Sequence, residues 1–102
     1  MSKDPQITSI VKEVLELIKA ISPGKSVELR VPSYGAIQCV AGSNHRRGTP
    51  PNTVEMSGQT LVKLINEPGL WSTFCESGEV RATGLLSDLS SVFTQAALKY
   101  RA

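Results

Sequence analysis

The sequence predicts an α+β fold, a mixed β-sheet of four or five strands covered by an N-terminal and a C-terminal helix. Three observations carry this. Apolar residues recur at steps of three and four near both ends of the chain, the period of an amphipathic helix. Between them lie short runs in which apolar and polar residues alternate, the period of a strand with one wet face. Breaks containing glycine, proline or serine separate the runs.

Taken in order, residues 1–6 are polar and are expected to be frayed. Residues 7–21 form the first helix, with Ile7, Ile10, Val11, Val14, Leu15, Ile18 and Ile21 on one face, and Ser22-Pro23-Gly24 ends it. Burying each such side chain stabilises by about 1.5–3 kcal/mol before entropy costs, so this face must pack on something. The sheet is the expected partner. Val27, Leu29 and Val31 alternate with Glu28 and Arg30; Pro32-Ser33-Tyr34-Gly35 reads as a turn, and residues 36–41 as the returning strand of a hairpin. Residues 42–52 form a loop.

The segment 53–84 is the most ordered stretch of pattern. Val54 and Met56 point one way from a strand, Thr53 and Glu55 the other. Ser57 is placed to cap a helix carrying Leu61, Leu64 and Ile65, which Asn66-Glu67-Pro68-Gly69 stops. Leu70, Trp71, Phe74 and Cys75 make a second short apolar face ended by Gly78. Residues 79–84 alternate again. The two helices make the connection between these strands long enough for a right-handed parallel crossover. A last helix is expected from Ser87 or Asp88 to about Tyr100, with Leu89, Val92, Phe93, Ala96, Ala97 and Tyr100 on its apolar face. That face is larger than a surface helix needs if residues 7–21 already cover the sheet. The helix is therefore expected either to close the open face of the sheet or to pack on a second copy of the chain.

Strand, capped helix, short helix ended by glycine, then strand resembles the second half of sterol-carrier-protein domains. The words Arg30-Val31-Pro32, Gln38-Cys39-Val40, Gly48-Thr49-Pro50-Pro51-Asn52 and Val54-Glu55-Met56 sharpen the likeness toward a small bacterial branch of that family, over roughly residues 7–93. The resemblance implies one sterol-carrier-like domain over 1–102. It also implies that an acyl chain or sterol is held between sheet and helices, lined by Leu70, Trp71, Phe74, Leu89, Val92 and Phe93. On residue pattern alone these side chains read first as plain core, and the resemblance is what favours the pocket.

Bulk numbers bound the partners. With 11 basic and 9 acidic residues the net charge of +2 is too small to argue for nucleic acid or a membrane surface. The first apolar stretch is interrupted by Lys12, Glu13, Glu16 and Lys19, so neither a signal peptide nor a membrane span is read, and a cytoplasmic protein is expected. Cys39 and Cys75 are then reduced thiols, read as small buried hydrophobes, with a redox role as the alternative.

Candidate chemistry is sparse. His45 is the single histidine, and with two unrelated cysteines it gives no zinc spacing; nucleophile elbows and phosphate-binding glycine loops are missing. No cofactor and no catalysis are expected; an accessory role to an enzyme is the weakest reading. His45, Arg46 and Arg47 cluster cationic donors before the stiff Pro50-Pro51. They read either as an anion contact for a carboxylate or phosphate head, or as a solvated loop. Arg30 and Arg81, at outward strand positions, are expected to pair across the sheet with Glu28, Glu55 or Glu79, with a share in the anion contact as the alternative.

Energetics constrain the lipid reading. An empty tunnel of about 300 Å³ would cost about 7 kcal/mol at about 24 cal/mol per Å³. That is comparable to the whole stability of such a domain, about 5–15 kcal/mol. The pocket is therefore expected to be small, filled, or completed by a second subunit. The first functional expectation is non-catalytic binding or carrying of a hydrophobic or amphipathic small molecule. The alternative is a protein-interaction or dimerisation module of the same fold, with a homodimer among the expected partner states.

Overall fold

The computed structural model describes residues 4–42 and 52–101. Its elements run α1 (Pro5–Ile21), β1 (Val27–Val31), β2 (Gly35–Cys39), β3 (Asn52–Met56), α2 (Gly58–Asn66), a 3₁₀ turn (Pro68–Leu70), α3 (Trp71–Ser77), β4 (Val80–Thr83) and α4 (Ser90–Arg101). This is an α+β fold, with one four-stranded mixed sheet in the order β2-β1-β3-β4.

Helix α1 begins earlier than its apolar stripe. Asp4 accepts from the Gln6 and Ile7 backbone N–H groups at 2.8 and 3.5 Å, and Pro5 occupies the first helical position. The frayed segment expected over 1–6 is thus corrected from Asp4 onward: an Asp-Pro start signal was read as mere polarity. Tyr34 ties this end to the β1–β2 turn, its hydroxyl accepting from the Asp4 N–H at 3.3 Å. Val11, Val14, Leu15 and Ile18 are the buried stripe.

β1 pairs antiparallel with β2 and parallel with β3. The inner face carries Val27, Leu29 and Val31, Cys39, Val54 and Met56, and Val80, all buried. The outer face carries Glu28, Arg30, Thr53, Glu55, Arg81 and Thr83, none of them buried. On that wet face Arg81 reaches Glu55 across the strands at 3.0 Å, while Arg30 pairs along its own strand with Glu28 at 3.2 Å.

The expected parallel crossover to the last strand does not form. β4 runs antiparallel to β3, with Met56 opposite Val80. Ser57 caps α2 by accepting from the Thr60 N–H at 3.1 Å, and Gly78 ends α3 in the left-handed region at φ 85°. The α2–α3 excursion therefore leaves the sheet at Met56 and re-enters beside it at Val80. A connection that goes out on one helix and returns on another brings the chain back to the end it left, so the next strand must run the opposite way.

α4 begins at Ser90 rather than at Ser87 or Asp88. It packs on α1, α2 and the 3₁₀ turn, in the same layer as the other helices. Arg101 donates to the Asn66 carbonyl oxygen at the end of α2. The expectation that it would close the second face of the sheet is corrected: Phe93, Ala96 and Ala97 fill the cleft between neighbouring helices, because α1 alone cannot roof four strands. All the buried apolar residues form one core between this helical layer and the inner face.

Candidate functional site

Cavities open at opposite ends of the sheet. The larger, about 510 Å³, lies where β1 turns into β2 and where the chain leaves and re-enters through Met56 and Val80; Tyr34, Glu55, Met56, Gly58, Thr60 and Arg81 are among its walls. Several of the polar groups around it are engaged. Glu55 holds Arg81, the Ser57 hydroxyl donates to Thr60 Oγ1 at 3.0 Å, and the Ser77 hydroxyl donates to Glu79 at 3.0 Å.

The other cavity, about 370 Å³, opens between the end of α1, the end of β2, the 84–88 turn and the start of α4. It is lined by Ile21, Ser22, Val40, Leu85, Leu86, Asp88, Ser91, Val92 and Gln95. Two adjacent leucines stand at its mouth: Leu85 is 100% exposed and Leu86 is 40% exposed. An apolar pair held in water at the rim of a cavity is an unsatisfied hydrophobic surface.

The mouth is built by Asn52, a buried amide with only 4% exposure. Its Nδ2 donates to the Ser26 carbonyl at 2.8 Å, and its Oδ1 accepts from the Leu86 N–H at 3.0 Å. One side chain thus ties β1's entry, β3's first residue and the leucine turn together. Gly84 fits beneath it at φ +109°, where an added Cβ would stand 2.2 Å from Asn52 Oδ1. The Ser87 N–H and hydroxyl both donate to the Gly84 carbonyl, closing the turn. Across the groove Val40 sits at φ 67°, a costly conformation for a β-branched residue. It is held by its N–H donating to Ser22 O at 2.8 Å and its carbonyl accepting from the Ser26 N–H at 3.1 Å.

Asp88 precedes α4 and accepts from the Ser90 N–H at 2.9 Å. Hydrogen bonds from Ser90 hold its carboxyl below the usual carboxylate range. Burial pushes the nearby Cys75 thiol up, and the carboxylates of Asp88 and Glu76 push it further the same way. Burial alone pushes Cys39 up to about 11. Both cysteines are free thiols, and both are held toward the protonated, unreactive form.

Of the six residues expected to line a pocket, Val92 alone reaches this groove. Trp71, Phe74, Leu89 and Phe93 are buried in the core and Leu70 is half-buried against it, with the Trp71 and Phe93 ring centroids 5.9 Å apart. They fill their own space. His45, Arg46 and Arg47, expected as an anion contact, lie outside the described residues. Sequence reading passed over Asn52, Leu85 and Leu86. The available signal was the adjacent leucines after Gly84, which fit neither a helical nor a strand period.

A helical layer on one face of a four-stranded mixed sheet is the architecture of a sterol-carrier-like domain. The chain belongs to the family of bacterial SCP orthologs, whose profile matches residues 4–94. Six solved chains match its fold. One is the ubiquinone synthesis protein UbiJ-SCP2, 18% identical, with a TM-score of 0.56 over 100% of this chain and 98% of that one. No curated protein sequence matches.

Proposed function

We propose that this chain is a non-catalytic binder or carrier of a hydrophobic or amphipathic small molecule, taken up in the groove between α1 and α4. The observation that carries this is the exposed pair Leu85–Leu86, pinned by Asn52 over a cavity of about 370 Å³. That volume falls in the range of small-molecule sites, about 300–1,000 Å³. Membership of a sterol-carrier-like family supports the same reading.

The apolar part of the ligand lies against Leu85, Leu86, Ile21 and Val92. Phe93 follows Val92 along α4 and packs against Trp71 in the core. A fully open lipid tunnel would cost nearly the stability of the domain, so a partly exposed groove backed by a filled core suits a chain of 102 residues. Binding is weak and tolerant of ligand shape, because burial of about ten methylenes gains about 8 kcal/mol. Association costs of about 4–15 kcal/mol offset much of that. Protonated, shielded thiols favour a carrier over a thiol-based catalyst and suit a reducing, cytoplasmic setting.

The test is titration with a dodecyl amphiphile, followed by calorimetry and by emission of Trp71, the single tryptophan. Saturable micromolar-range binding is expected. Leu85→Asp with Leu86→Asp should abolish it, and Leu85→Asp alone should leave the melting temperature unchanged, since that side chain is 100% exposed. Binding untouched by these changes would refute the groove.

A second reading, a protein-interaction module, is favoured by Leu98. It is 67% exposed and lies one turn beyond Gln95 on the same face of α4, a second exposed apolar position past the polar rim. Sedimentation of the same leucine variants separates the two readings. Loss of an oligomer present in the unaltered chain supports the interaction module.

A further inference from the structure

The groove between α1 and α4 has an electrostatic sign. Asp88 is the one charged residue among its described lining; Ser22, Ser91 and Gln95 supply uncharged hydrogen-bonding groups. The Asp88 carboxylate is fixed by the Ser90 N–H at 2.9 Å. Cys75 has its thiol pushed up by burial and then by the carboxylates of Asp88 and Glu76. Among the described lining residues the polar rim thus carries one carboxylate, while the mouth is apolar.

We propose, building on the carrier reading above, that this groove selects amphiphiles whose head is an uncharged hydrogen-bond donor, a hydroxyl, and disfavours carboxylate heads. The alkyl part lies along Leu85, Leu86 and Val92, and the head meets Asp88, Ser91 and Gln95. A hydroxyl donates to the fixed carboxylate. A carboxylate head instead meets a like charge and brings no proton to share. Two unit charges about 5 Å apart in a water-like dielectric repel enough to weaken binding about fourfold, and salt screens that penalty.

The experiment compares dodecanol with dodecanoate on the full chain by calorimetry, at low and high salt. Dodecanol should bind more tightly, and the preference should shrink as salt rises. Asp88→Asn keeps a residue that caps a helix as well as aspartate. It should narrow the ratio of the two affinities by about three- to fourfold. Gln95→Glu, which adds charge on the exposed side of α4, should widen it. An equal or tighter affinity for dodecanoate in the unaltered chain overturns the proposal, as does a ratio indifferent to both variants. A dodecanoate preference abolished by Arg46→Ala with Arg47→Ala would assign head selection to the basic loop instead and overturn it equally. Failure of both probes to bind refutes the carrier reading itself, a result distinct from binding with the wrong preference.

Discussion

Asn52 offers the sharpest test of how the groove is held. Replacing it with alanine removes two hydrogen bonds, one to the Ser26 carbonyl at 2.8 Å and one from the Leu86 N–H at 3.0 Å. Asn52 and Ser26 are 4% and 3% exposed, so the Ser26 carbonyl loses its partner where water does not easily replace it. Each lost bond costs about 1 kcal/mol, and an orphaned buried group about 1–3 kcal/mol. The expected loss is about 2–4 kcal/mol, against a total of about 5–15 kcal/mol. The variant should fold but melt roughly 10–20 °C lower. Urea unfolding followed by Trp71 emission gives the free-energy difference directly. Asn52→Asp discriminates further. It keeps an acceptor for Leu86 but sets a carboxylate oxygen against the Ser26 carbonyl, so it should be at least as destabilising as alanine. A loss below about 1 kcal/mol for alanine, or an aspartate variant as stable as the unaltered chain, would refute the clamp.

Further outcomes follow from the same coordinates. Gly84→Ala should destabilise strongly alone, because its Cβ meets Asn52 Oδ1 at 2.2 Å and its φ of +109° is strained; in an Asn52→Ala background the clash with the amide disappears while the backbone Cα at 3.0 Å and the strained φ remain, so the double-mutant cycle is non-additive. Cys39 has a folded pKa raised from 9.0 to about 11, so the stability its neutral form contributes is whole below pH 9 and is lost as pH rises toward 11. Cys39→Val should remove about 2–3 kcal/mol of that alkaline loss in stability measured against pH. Arg81→Ala should change stability by less than about 1 kcal/mol in urea melts, although its ion pair is 3.0 Å long, because the arginine side chain is 73% exposed.

What residue order determined by itself is what neighbours along the chain decide. The stripe of Val11, Val14, Leu15 and Ile18 specifies a helix with one buried face. Ser57 caps α2, and Gly78 stops α3, because both act on backbone groups a few residues away. The alternation at Val27, Leu29 and Val31 selects the inner face of β1 before any partner strand is known. Asp4-Pro5 was legible on the same grounds, as a cap followed by a residue suited to the first helical position. The words around Pro32, Cys39 and Asn52 carried the family likeness, which the profile match bears out.

Tertiary structure decided what depends on residues distant in sequence. The direction of β4 follows from α2 and α3 packing as an out-and-back pair, which either helical pattern alone leaves open. Asn52 reads as an ordinary loop residue until Ser26, 26 positions before it, and Leu86, 34 positions after it, are brought to its two amide ends. The aromatic residues posed the hardest ambiguity. A pocket wall and a core need the same apolar faces, so spacing alone cannot separate them; that Phe93 is 0% exposed with its ring 5.9 Å from that of Trp71 is known only from the fold. The groove itself belongs to no single element. It exists because the end of α1, the end of β2 and the start of α4 converge where a turn leaves Leu85 and Leu86 facing water, and convergence is a property of packing rather than of local pattern.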